Sequence, residues 1–464
     1  MNEITRVKVL VVGGGPGGYA AAIRCGQLGL DTLLIEQGRL GGTCLTRGCI
    51  PSKAIIHAAT QFEEMNRVAE APRFGISLAN PPRLDFAATI DWKDGIVDQL
   101  NKGVAGLLTR AGVKVVRGHA RFRDAKTCRV TSPDGDITVH AEHVILATGS
   151  VPVELPALPF GGPVMSSSEA LSLTHLPTRM AVVGAGYIGL ELGIAFRKLG
   201  VDVSVVEASD QILPHYDAQL VEPVVRWLER HGVTLHLGAR ALGFDASELA
   251  VETQSGQPLS LPADMVLVTA GRKPAVSGWD LETMALSRSS DFIRVDDRCA
   301  TSTTNVWAIG DLVGEPMLAH KATAQGTMVA EIIAGHRRRF DPIAIPAVCF
   351  TEPEIVSVGL APTQSDGREI VVARFPFLAN GRALSMDGAQ DGGFIRVVAC
   401  KSDHRILGIQ AVGQHISELA GEFTLALEMG SVLEDIAGTI HAHPTLGEAF
   451  HESALCALGH ALHL

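Results

Sequence analysis

A glycine-rich unit occurs twice in this chain in the same register. In each copy the glycines follow an apolar run and precede a helical run, and an acid ends the next apolar run. This order of strand, glycine loop, helix, strand and acid is typical of a dinucleotide-binding unit in a parallel α/β sheet. The matching positions all lie 171 residues apart (184 − 13, for example), and they are Gly13, Gly15, Gly18 and Glu36 in the first copy and Gly184, Gly186, Gly189 and Glu207 in the second.

Each position of the unit has a physical task. The first glycine allows a tight turn, the second lets the backbone approach a pyrophosphate at a helix N-terminus, and the third lets helix and strand pack closely. The acid accepts hydrogen bonds from a ribose. The residues after Glu207 are Ala208, Ser209 and Asp210, none of them basic. Because sites for NADP usually add arginines for the 2′-phosphate, the second unit is predicted to bind NAD.

Two cysteines, Cys44 and Cys49, follow Glu36 inside the first unit. The next four residues, 50–53, read as the first turn of a helix, where the missing N–H of proline costs nothing. A thiol near a helix N-terminus and a lysine is favoured as the reactive thiolate. The spacing alone leaves open a redox pair, a structural disulfide, half a metal site or two unrelated buried thiols. As a redox pair, it would place FAD in the first unit and nicotinamide in the second.

The composition excludes several classes of protein. With 46% hydrophobic and 19% charged residues the 464-residue chain is not disordered, and its length suggests about three domains. The net charge of −11 provides no basic face for nucleic acid or an anionic membrane. No apolar run reaches the roughly 18 residues of a membrane helix, and the N-terminus lacks the pattern of a signal peptide. Outside the local pair the cysteines are scattered, so a reducing cytoplasm is expected.

The rest of the chain is predicted to alternate strands and helices. Before the second unit we expect a helix over 85–111, a strand over 113–116, a hairpin over 129–140, a buried strand over 143–150 and a Pro-rich linker over 152–163. Strands over 265–270 and 305–309 follow the second unit, and the latter leads to Asp311, a residue type that also serves in caps and turns. From Pro346 four strand-like runs precede helices near 416–429, 432–437 and 447–463.

The segment His441–Glu448 contains a second candidate site. Histidine exchanges a proton near neutral pH, and a carboxylate such as Glu448 can hold its other ring nitrogen. Either His441 or His443 could be structural if considered alone. The cysteine pair and the flavin site make an acid–base partner the better interpretation. The apolar stripe of the last helix, which includes Phe450 and Leu462, could pack in the core or against a partner subunit.

With these motifs placed, the chain resembles the pyridine nucleotide–disulfide oxidoreductases over its whole length, and within them the members that oxidise dihydrolipoamide. The resemblance implies that Cys44 is the interchange thiol and that Cys49 lies against the flavin. His443, assisted by Glu448, would deprotonate the substrate thiol. Electrons would pass through Cys49 to FAD and then as hydride to NAD+. In this family the histidine comes from the other subunit, so a homodimer is implied.

The resemblance also implies contacts to the cofactors, and no metal. Lys53 paired with Glu191 would lie near the reactive flavin nitrogen, and Tyr187 would cover the nicotinamide pocket. Asp311 would hydrogen-bond the ribityl chain of the flavin. Beyond these and the two glycine units with their acids, the predicted contacts are Gly42, Thr43, Ala120, Thr148, Gly149, Ser150, Ile188, Gly271, Met317, Leu318, Ala319 and His320.

The predicted fold class is α/β, with two Rossmann-like dinucleotide-binding domains and a C-terminal α+β dimerisation domain. The expected domains are an FAD-binding domain in two parts, 1–150 and 273–345, an NAD-binding domain over 151–272 and the interface domain over 346–464. The implied partners are dihydrolipoyl groups on the acyltransferase component of a 2-oxoacid dehydrogenase complex. General likeness favours the bacterial branched-chain form.

Two other kinds of function remain open from the sequence. Glutathione- or mercury-reducing relatives share the cysteine motif, but the first usually bind NADP with basic residues and the second usually carry extra C-terminal cysteines. A non-catalytic flavoprotein subunit is the other alternative. The chain departs from the family at Thr46 and Arg47, where an Asn and an aliphatic residue are usual. We hypothesise that Arg47 lowers the pKa of a neighbouring thiol, although a surface-facing arginine is the alternative.

Overall fold

The structure is a computed structural model that describes residues 4–365, 367–390 and 392–464. The expectation about the N-terminus rests partly on residues 1–3, which lie outside the described residues. The chain divides into two compact units. The first comprises the chain up to Leu155, Met165–Leu176 and Ala270–Asp341, and the second comprises Pro156–Val164, Pro177–Thr269 and Pro342–Leu464.

The elements are numbered in chain order. The strands are β1 Ile4–Val12, β2 Thr32–Glu36, β3 Lys114–Arg117, β4 His119–Phe122, β5 Thr127–Thr131, β6 Ile137–Leu146, β7 Ser150–Pro152, β8 Val164–Met165, β9 Arg179–Val183, β10 Asp202–Val206, β11 Thr234–His236, β12 Arg240–Asp245, β13 Glu248–Glu252, β14 Pro258–Pro262, β15 Met265–Val268, β16 Arg272–Pro274, β17 Arg288–Ser289, β18 Phe292–Ile293, β19 Val306–Ala308, β20 Ala347–Cys349, β21 Glu354–Gly359, β22 Ile370–Pro376, β23 Phe394–Cys400 and β24 Ile406–Gly413. The α-helices are α1 Pro16–Gln27, α2 Gly42–Arg47, α3 Cys49–Glu70, α4 Phe86–Arg110, α5 Ser167–Ala170, α6 Tyr187–Lys198, α7 Ala218–Arg230, α8 Ala319–Ile333, α9 Gly381–Ser385, α10 Ala420–Glu428, α11 Leu433–Gly438 and α12 Glu448–Leu458. Short 3₁₀ helices cover Leu281–Met284, Gly310–Val313, Pro362–Gln364, Phe377–Ala379 and Ile416–Leu419.

The first unit is built around a mainly parallel sheet. Strands β3, β2, β1 and β6 lie side by side in that order, all parallel. Strand β1 is buried on both faces: Val9 and Val11 pack with Cys25 of α1, whereas Leu10 packs with Val130 on the other side. The predicted buried strand of the first glycine unit is therefore confirmed.

Strand β6 corrects one prediction. A hairpin arm ending at His140 and a separate strand from His143 were expected, but one strand runs from Ile137 to Leu146 because no turn residue interrupts it. Its length gives it two neighbours on one side. The N-terminal half pairs antiparallel with β5, and the C-terminal half pairs parallel with β19, which precedes Asp311.

The second unit contains three sheets. The parallel strands β11, β10, β9 and β15, joined by β8, carry the second glycine unit. An antiparallel sheet follows, in the order β12, β13, β14. The C-terminal region forms an antiparallel sheet in the order β20, β21, β24, β23, β22. Both the α/β class and the C-terminal α+β region agree with the prediction.

The last helix is shorter than predicted. Helix α12 ends at Leu458, because Gly459 adopts a left-handed conformation (φ 85°) and caps it. Phe450 packs in the C-terminal core, with its ring 5.1 Å from that of Phe423. Leu462, which was assigned to the same apolar stripe, lies beyond the helix and is 68% exposed. Within the described ranges, no helix is both long enough and apolar enough to span a membrane.

Candidate active site

The two cysteines lie where two helices of the first unit meet. Cys44 is in the first turn of α2, Cys49 is the first residue of α3, and Gly48 joins the helices. A Cβ on Gly48 would lie 2.9 Å from the carbonyl oxygen of Thr43, so the junction requires a glycine. The helix start predicted around Pro51 is confirmed. The two sulfurs are not joined in a disulfide in this structure, and Cys44 is half-buried whereas Cys49 is exposed.

The environment of Cys44 disfavours its thiolate when both thiols are reduced. A hydrogen bond with Cys49, followed by burial and by the charge of Cys49, raises the pKa of Cys44, and the ammonium of Lys53 opposes this. Burial raises the pKa of Tyr19 on α1, and the two thiols raise it further. The raised pKa of Cys44 means that the reduced pair favours keeping the proton of the hydrogen bond between the two sulfurs. The positive charge of Lys53 favours the release of this proton.

Arg47 acts on the carboxylate of Glu169 rather than on Cys44. Its side chain is exposed, and it contributes to lowering the pKa of Glu169, together with hydrogen bonds from Ser166 that outweigh the burial of that carboxylate. The cation that acts on Cys44 is Lys53. The hypothesis that Arg47 lowers a thiol pKa thus finds no support at Cys44 and stays a prediction for Cys49.

The first glycine unit has the geometry that a bound dinucleotide requires. Gly13 has φ of 103°, and a Cβ there would lie 2.2 Å from the carbonyl oxygen of Ala147. A Cβ on Gly18 would lie 1.8 Å from the carbonyl oxygen of Gly13. Gly15 caps α1 without a side-chain hydrogen bond, so no side chain competes with a phosphate for the backbone N–H groups of the first turn.

Glu36 is held at the end of β2 by two backbone groups. Its Oε2 accepts a hydrogen bond from the N–H of Gly14 at 2.6 Å, and its Oε1 accepts one from the N–H of Gly38 at 2.7 Å. A carboxylate oxygen has a second lone pair, so each can also accept from a ribose hydroxyl. The carboxylate thus ties the glycine loop to the strand that follows and suits the predicted role.

The second unit reproduces this geometry. Gly184 has φ of 102°, and a Cβ on Gly189 would lie 2.2 Å from the carbonyl oxygen of Gly184. Glu207 accepts hydrogen bonds from the N–H groups of Ala185 at 2.7 Å and Ser209 at 2.8 Å. A Cβ on Gly186 would meet nothing within 4 Å, which leaves room for a pyrophosphate. Tyr187 and Ile188 begin α6, where the unit predicts the nicotinamide side.

Two further predicted residues of the first unit, Ser150 and Asp311, lie together. Ser150 donates a hydrogen bond to the carboxylate of Asp311, and Arg272 donates through Nε to the hydroxyl of Ser150 at 2.8 Å. Arg272 also donates to the carbonyl of Ser150 at 2.8 Å. Thr148 is held separately, by a hydrogen bond to Ala275 at 2.9 Å. The support that Arg272 gives to Ser150 could not be predicted from the sequence.

The other predicted FAD contacts occupy defined places in the first unit. Gly149 and Gly271 have φ of 74° and 111°, and a Cβ on either would meet nothing within 4 Å. The side chain of Ala120 is buried in β4. Met317 and Leu318 immediately precede α8, whose first two residues are Ala319 and His320. The backbone of Gly310, just before Asp311, is fixed by buried Gln325, which accepts its N–H at 2.8 Å and was not predicted. These residues remain proposed contacts.

His443 and Glu448 form a hydrogen-bonded pair in the second unit. The Nδ1 atom of His443 lies 2.9 Å from Oε1 of Glu448, and Oε2 accepts the N–H of Thr445 at 2.7 Å. Burial alone would raise the pKa of Glu448, but these hydrogen bonds hold it below its usual range. An ionised Glu448 keeps the proton on Nδ1, so Nε2 of the 81% exposed His443 side chain is available to accept one.

His441, two residues earlier, has a different environment. Its Nε2 lies 3.1 Å from Oε1 of Glu422, its Nδ1 lies 3.0 Å from the carbonyl oxygen of Thr439, and only 9% of its side chain is exposed. A carbonyl and a carboxylate both accept hydrogen bonds, so this environment favours the doubly protonated ring. The hydrogen bond with Glu422 accordingly raises the pKa of His441. Of the two histidines, only His443 presents a free nitrogen to solvent.

We expect Glu422→Gln to reduce stability at low pH, where His441 is protonated, and to have progressively less effect as pH rises. The pKa of His441 is raised in the folded protein, so its pairing with Glu422 stabilises the fold below the unfolded value near 6.5, and the effect is lost as pH rises through the folded value. Glu422 is partly exposed, so the loss should be about 1 kcal/mol or less. Thermal midpoints between pH 5.5 and 9 measure it, with Glu418→Gln as control. An equal loss at pH 9 would contradict the expectation.

Comparison with known proteins places these features in a family. Residues 7–326 match the pyridine nucleotide-disulphide oxidoreductase model, and residues 345–454 match the dimerisation domain of the same family. A dihydrolipoyl dehydrogenase from Pseudomonas aeruginosa is 55% identical, with 100% of both chains covered. One from Halobacterium salinarum is 44% identical over 99% of this chain and 98% of its own, and one from Geobacillus stearothermophilus is 42% identical over 98% and 97%.

Solved structures of the same fold are also found. LpdA from Mycobacterium tuberculosis superposes with a TM-score of 0.87 at 25% identity, covering 97% of this chain and 99% of its own. The HOCl-induced flavoprotein disulfide reductase RclA from Escherichia coli, solved as a Cu(II) complex, gives a TM-score of 0.87 at 24% identity over 98% and 100%, a likeness of fold alone. Among residues whose placement is given, no cluster of His, Cys, Asp or Glu could hold a metal ion. From its full-length relatives and matched domains, the chain belongs to the pyridine nucleotide-disulphide oxidoreductase family.

Proposed function

We propose that this protein oxidises dihydrolipoyl groups and reduces NAD+, with Cys44 and Cys49 as the thiol pair that meets the substrate. The observation that supports this most is the likeness over the full chain to dihydrolipoyl dehydrogenases, at 40% to 55% identity. FAD and NAD are the cofactors. The two glycine units, each with its carboxylate, have the donor set and the space that these dinucleotides need.

The thiol chemistry follows from the pair at the helix junction. Starting from a Cys44–Cys49 disulfide, a substrate thiolate attacks the sulfur of Cys44 and releases Cys49 as a thiolate. The second substrate thiol then displaces Cys44, so the substrate leaves as a disulfide and the protein holds a dithiol. Bound FAD supplies the two-electron route from this dithiol to NAD+. Lys53 favours the released thiolate at Cys49 by its charge.

The proton of the substrate thiol goes to His443. Its Nε2 atom is exposed, while Nδ1 is fixed by Glu448, so the imidazolium formed by proton uptake is stabilised by an ionised carboxylate. The protein forms homodimers through its C-terminal domain, which matches the dimerisation domain of the family. In our proposal each histidine serves the thiol pair of the other subunit.

The identity of the carrier is a finer proposal. A dihydrolipoyl dehydrogenase takes its substrate from lipoyl groups on the acyltransferase component of a 2-oxoacid dehydrogenase complex, and we propose this component as the partner, in the branched-chain complex.

The absence of a basic residue at positions 208–210 after Glu207 favours NAD over NADP. A reducing cytoplasm suits a thiol pair that must cycle and is the compartment we propose.

One assay tests the proposal directly. The purified holoenzyme is given dihydrolipoamide with NAD+ or NADP+, and in the reverse direction NADH with lipoamide or glutathione disulfide. We expect kcat/KM with NAD+ to exceed that with NADP+ by about a hundredfold or more, the scale of losing well-placed polar contacts. Glutathione disulfide should not be reduced. Absence of NAD-linked turnover of dihydrolipoamide would contradict the proposal, and reduction of glutathione disulfide would favour the glutathione-type alternative.

A further inference from the structure

Lys198, at the C-terminal end of α6, is a buried cation without a part in the chemistry described above. Only 2% of its side chain is exposed, and its Nζ lies 2.6 Å from Oε2 of Glu352. The ammonium also lies 5.5 Å from the centre of the Trp227 ring. Glu352 belongs to the C-terminal domain, just after β20. The helix of the second glycine unit is thus joined to the C-terminal domain by an ion pair whose lysine is buried and whose carboxylate is 28% exposed.

The same helix has a second contact with the same segment. The carboxylate of Glu191, which is buried, accepts a hydrogen bond from the backbone N–H of Phe350 at 2.9 Å. Glu191 and Lys198 are seven residues apart, which is two helical turns, so they lie on one face of α6. That face is therefore anchored to residues 350–352 near its middle, at Glu191, and at its C-terminal end, at Lys198.

The neighbouring helix is anchored in a similar way. Arg396 of β23 has a side chain only 3% exposed, and its Nη1 donates to Oδ1 of Asp217 and to Oε1 of Gln219, both at 3.1 Å. Asp217 in turn caps α7 by accepting the N–H of Gln219. Buried cations therefore fix both α6 and α7 to residues of the C-terminal domain.

Net stability is a poor explanation for such pairs. Removing two charges from water costs about as much as their attraction returns, so a buried ion pair often stabilises no more than an apolar pair would. A buried pair does, however, define one relative placement of its elements. Here the placed element is α6, which begins at Tyr187, the residue assigned to the nicotinamide pocket, and includes Gly189 of the second glycine unit.

We propose that Lys198 and Glu352 are positioning residues for the reaction with NAD: their ion pair fixes α6 against the C-terminal domain and so holds Tyr187, at the start of that helix, in place for the nicotinamide. The inference rests on the proposed function in one respect, the assignment of the second glycine unit to NAD. Lys198 takes no part in the proposed thiol chemistry or in the His443–Glu448 pair. The effect of replacing it should therefore be confined to the half-reaction with the nicotinamide.

The half-reactions can be measured separately in the holoenzyme. Rapid mixing with NADH follows flavin reduction from the nicotinamide side, and rapid mixing with dihydrolipoamide follows it from the thiol side. In Lys198→Met we expect the NADH rate to fall about tenfold, because small displacements of a positioned group cost one to two orders of magnitude. In the milder variant Glu352→Gln, the NADH rate should also fall. The dihydrolipoamide rate should stay within about twofold.

Two controls separate positioning from folding. Lys401→Met removes a lysine from an exposed pair with Glu369 and should leave both rates unchanged. Lys198→Arg keeps the charge and should recover most of the NADH rate. A lower thermal midpoint with both half-reactions unchanged, or slowed equally, would overturn the proposal.

The proposed substrate and the positioning role are tested by separate measurements. If dihydrolipoamide does not reduce the flavin of the unmodified enzyme, the proposed substrate is wrong. The NADH rates of Lys198→Met and Glu352→Gln, read with ferricyanide as acceptor, still decide the positioning role, since that path needs no dithiol substrate.

Discussion

Cys44→Ser should abolish NAD-linked oxidation of dihydrolipoamide, with a loss of about 10³-fold or more, the scale of removing a covalent nucleophile. Disulfide exchange needs both sulfurs, because the substrate attacks one and the other leaves. Reduction of ferricyanide by NADH should remain within a few-fold of the unmodified enzyme, since it requires the flavin and nucleotide sites alone. Steady-state assays of the two reactions on one preparation measure the contrast.

Matched cysteine variants sharpen this test. Cys400→Ser alters a half-exposed thiol in the C-terminal sheet and should change neither reaction. Cys49→Ser should lose dithiol oxidation as Cys44→Ser does, but the two should differ in absorbance. If Cys49 lies against the flavin, Cys44→Ser keeps a thiolate–flavin band that Cys49→Ser lacks. The reverse pattern would exchange the roles of the two thiols, and full activity in Cys44→Ser would contradict the mechanism.

The parts of the fold that could be predicted are those encoded within short segments. The strand before Gly13 is apolar on both faces, and the loop after it needs glycine at φ of 103°, so the local pattern defines its own geometry. The same holds for the second copy. The repeat extends to hydrogen bonds, because Gly14 and Ala185 donate to Glu36 and Glu207 in equivalent ways.

The features that could not be predicted depend on residues distant in the sequence, or on a local sequence that argues against the structure it adopts. Helix α7 contains Pro223, which argues against a helix in the sequence alone, yet its apolar face is buried. Strand β21 starts directly after Pro353 and was missed, although β24 covers it along its whole length. The Lys198–Glu352 pair joins residues 154 positions apart, and no motif brings them together.

The candidate site divides along the same line. Cys44, Cys49 and the His443–Glu448 pair could be proposed because each lies in a compact motif, and the roles proposed for them come from the resemblance to the family. The support of Ser150 by Arg272 joins positions 122 residues apart, so the sequence contained no signal for it. Thr46 departs from the family pattern, and its hydroxyl donates to the carbonyl of Gly42 within α2 at 2.6 Å.

His443→Gln should lower dihydrolipoamide oxidation by about 10² to 10⁴-fold, the usual contribution of a general base. The glutamine can still hydrogen-bond with Glu448 but cannot take a proton from the substrate thiol. Glu448→Gln should have a smaller effect, because its amide oxygen can still accept from Nδ1, although the variant loses the charge that stabilises the imidazolium and one of the two acceptor oxygens. Rates are measured against pH, with NADH-dependent ferricyanide reduction as the internal reference.

The same domain provides a matched control for this variant. His404 also shares a hydrogen bond through Nδ1 with a carboxylate, that of Glu434, in an exposed pair outside the site. His404→Gln therefore removes a similar ring from a similar pair and should leave dihydrolipoamide oxidation unchanged. If His443→Gln retains more than about a tenth of the activity, proton uptake at Nε2 is not a main contribution to the rate, since a general base accounts for at least about a hundredfold. Retention in both variants would move the search for the base to other residues near the thiol pair.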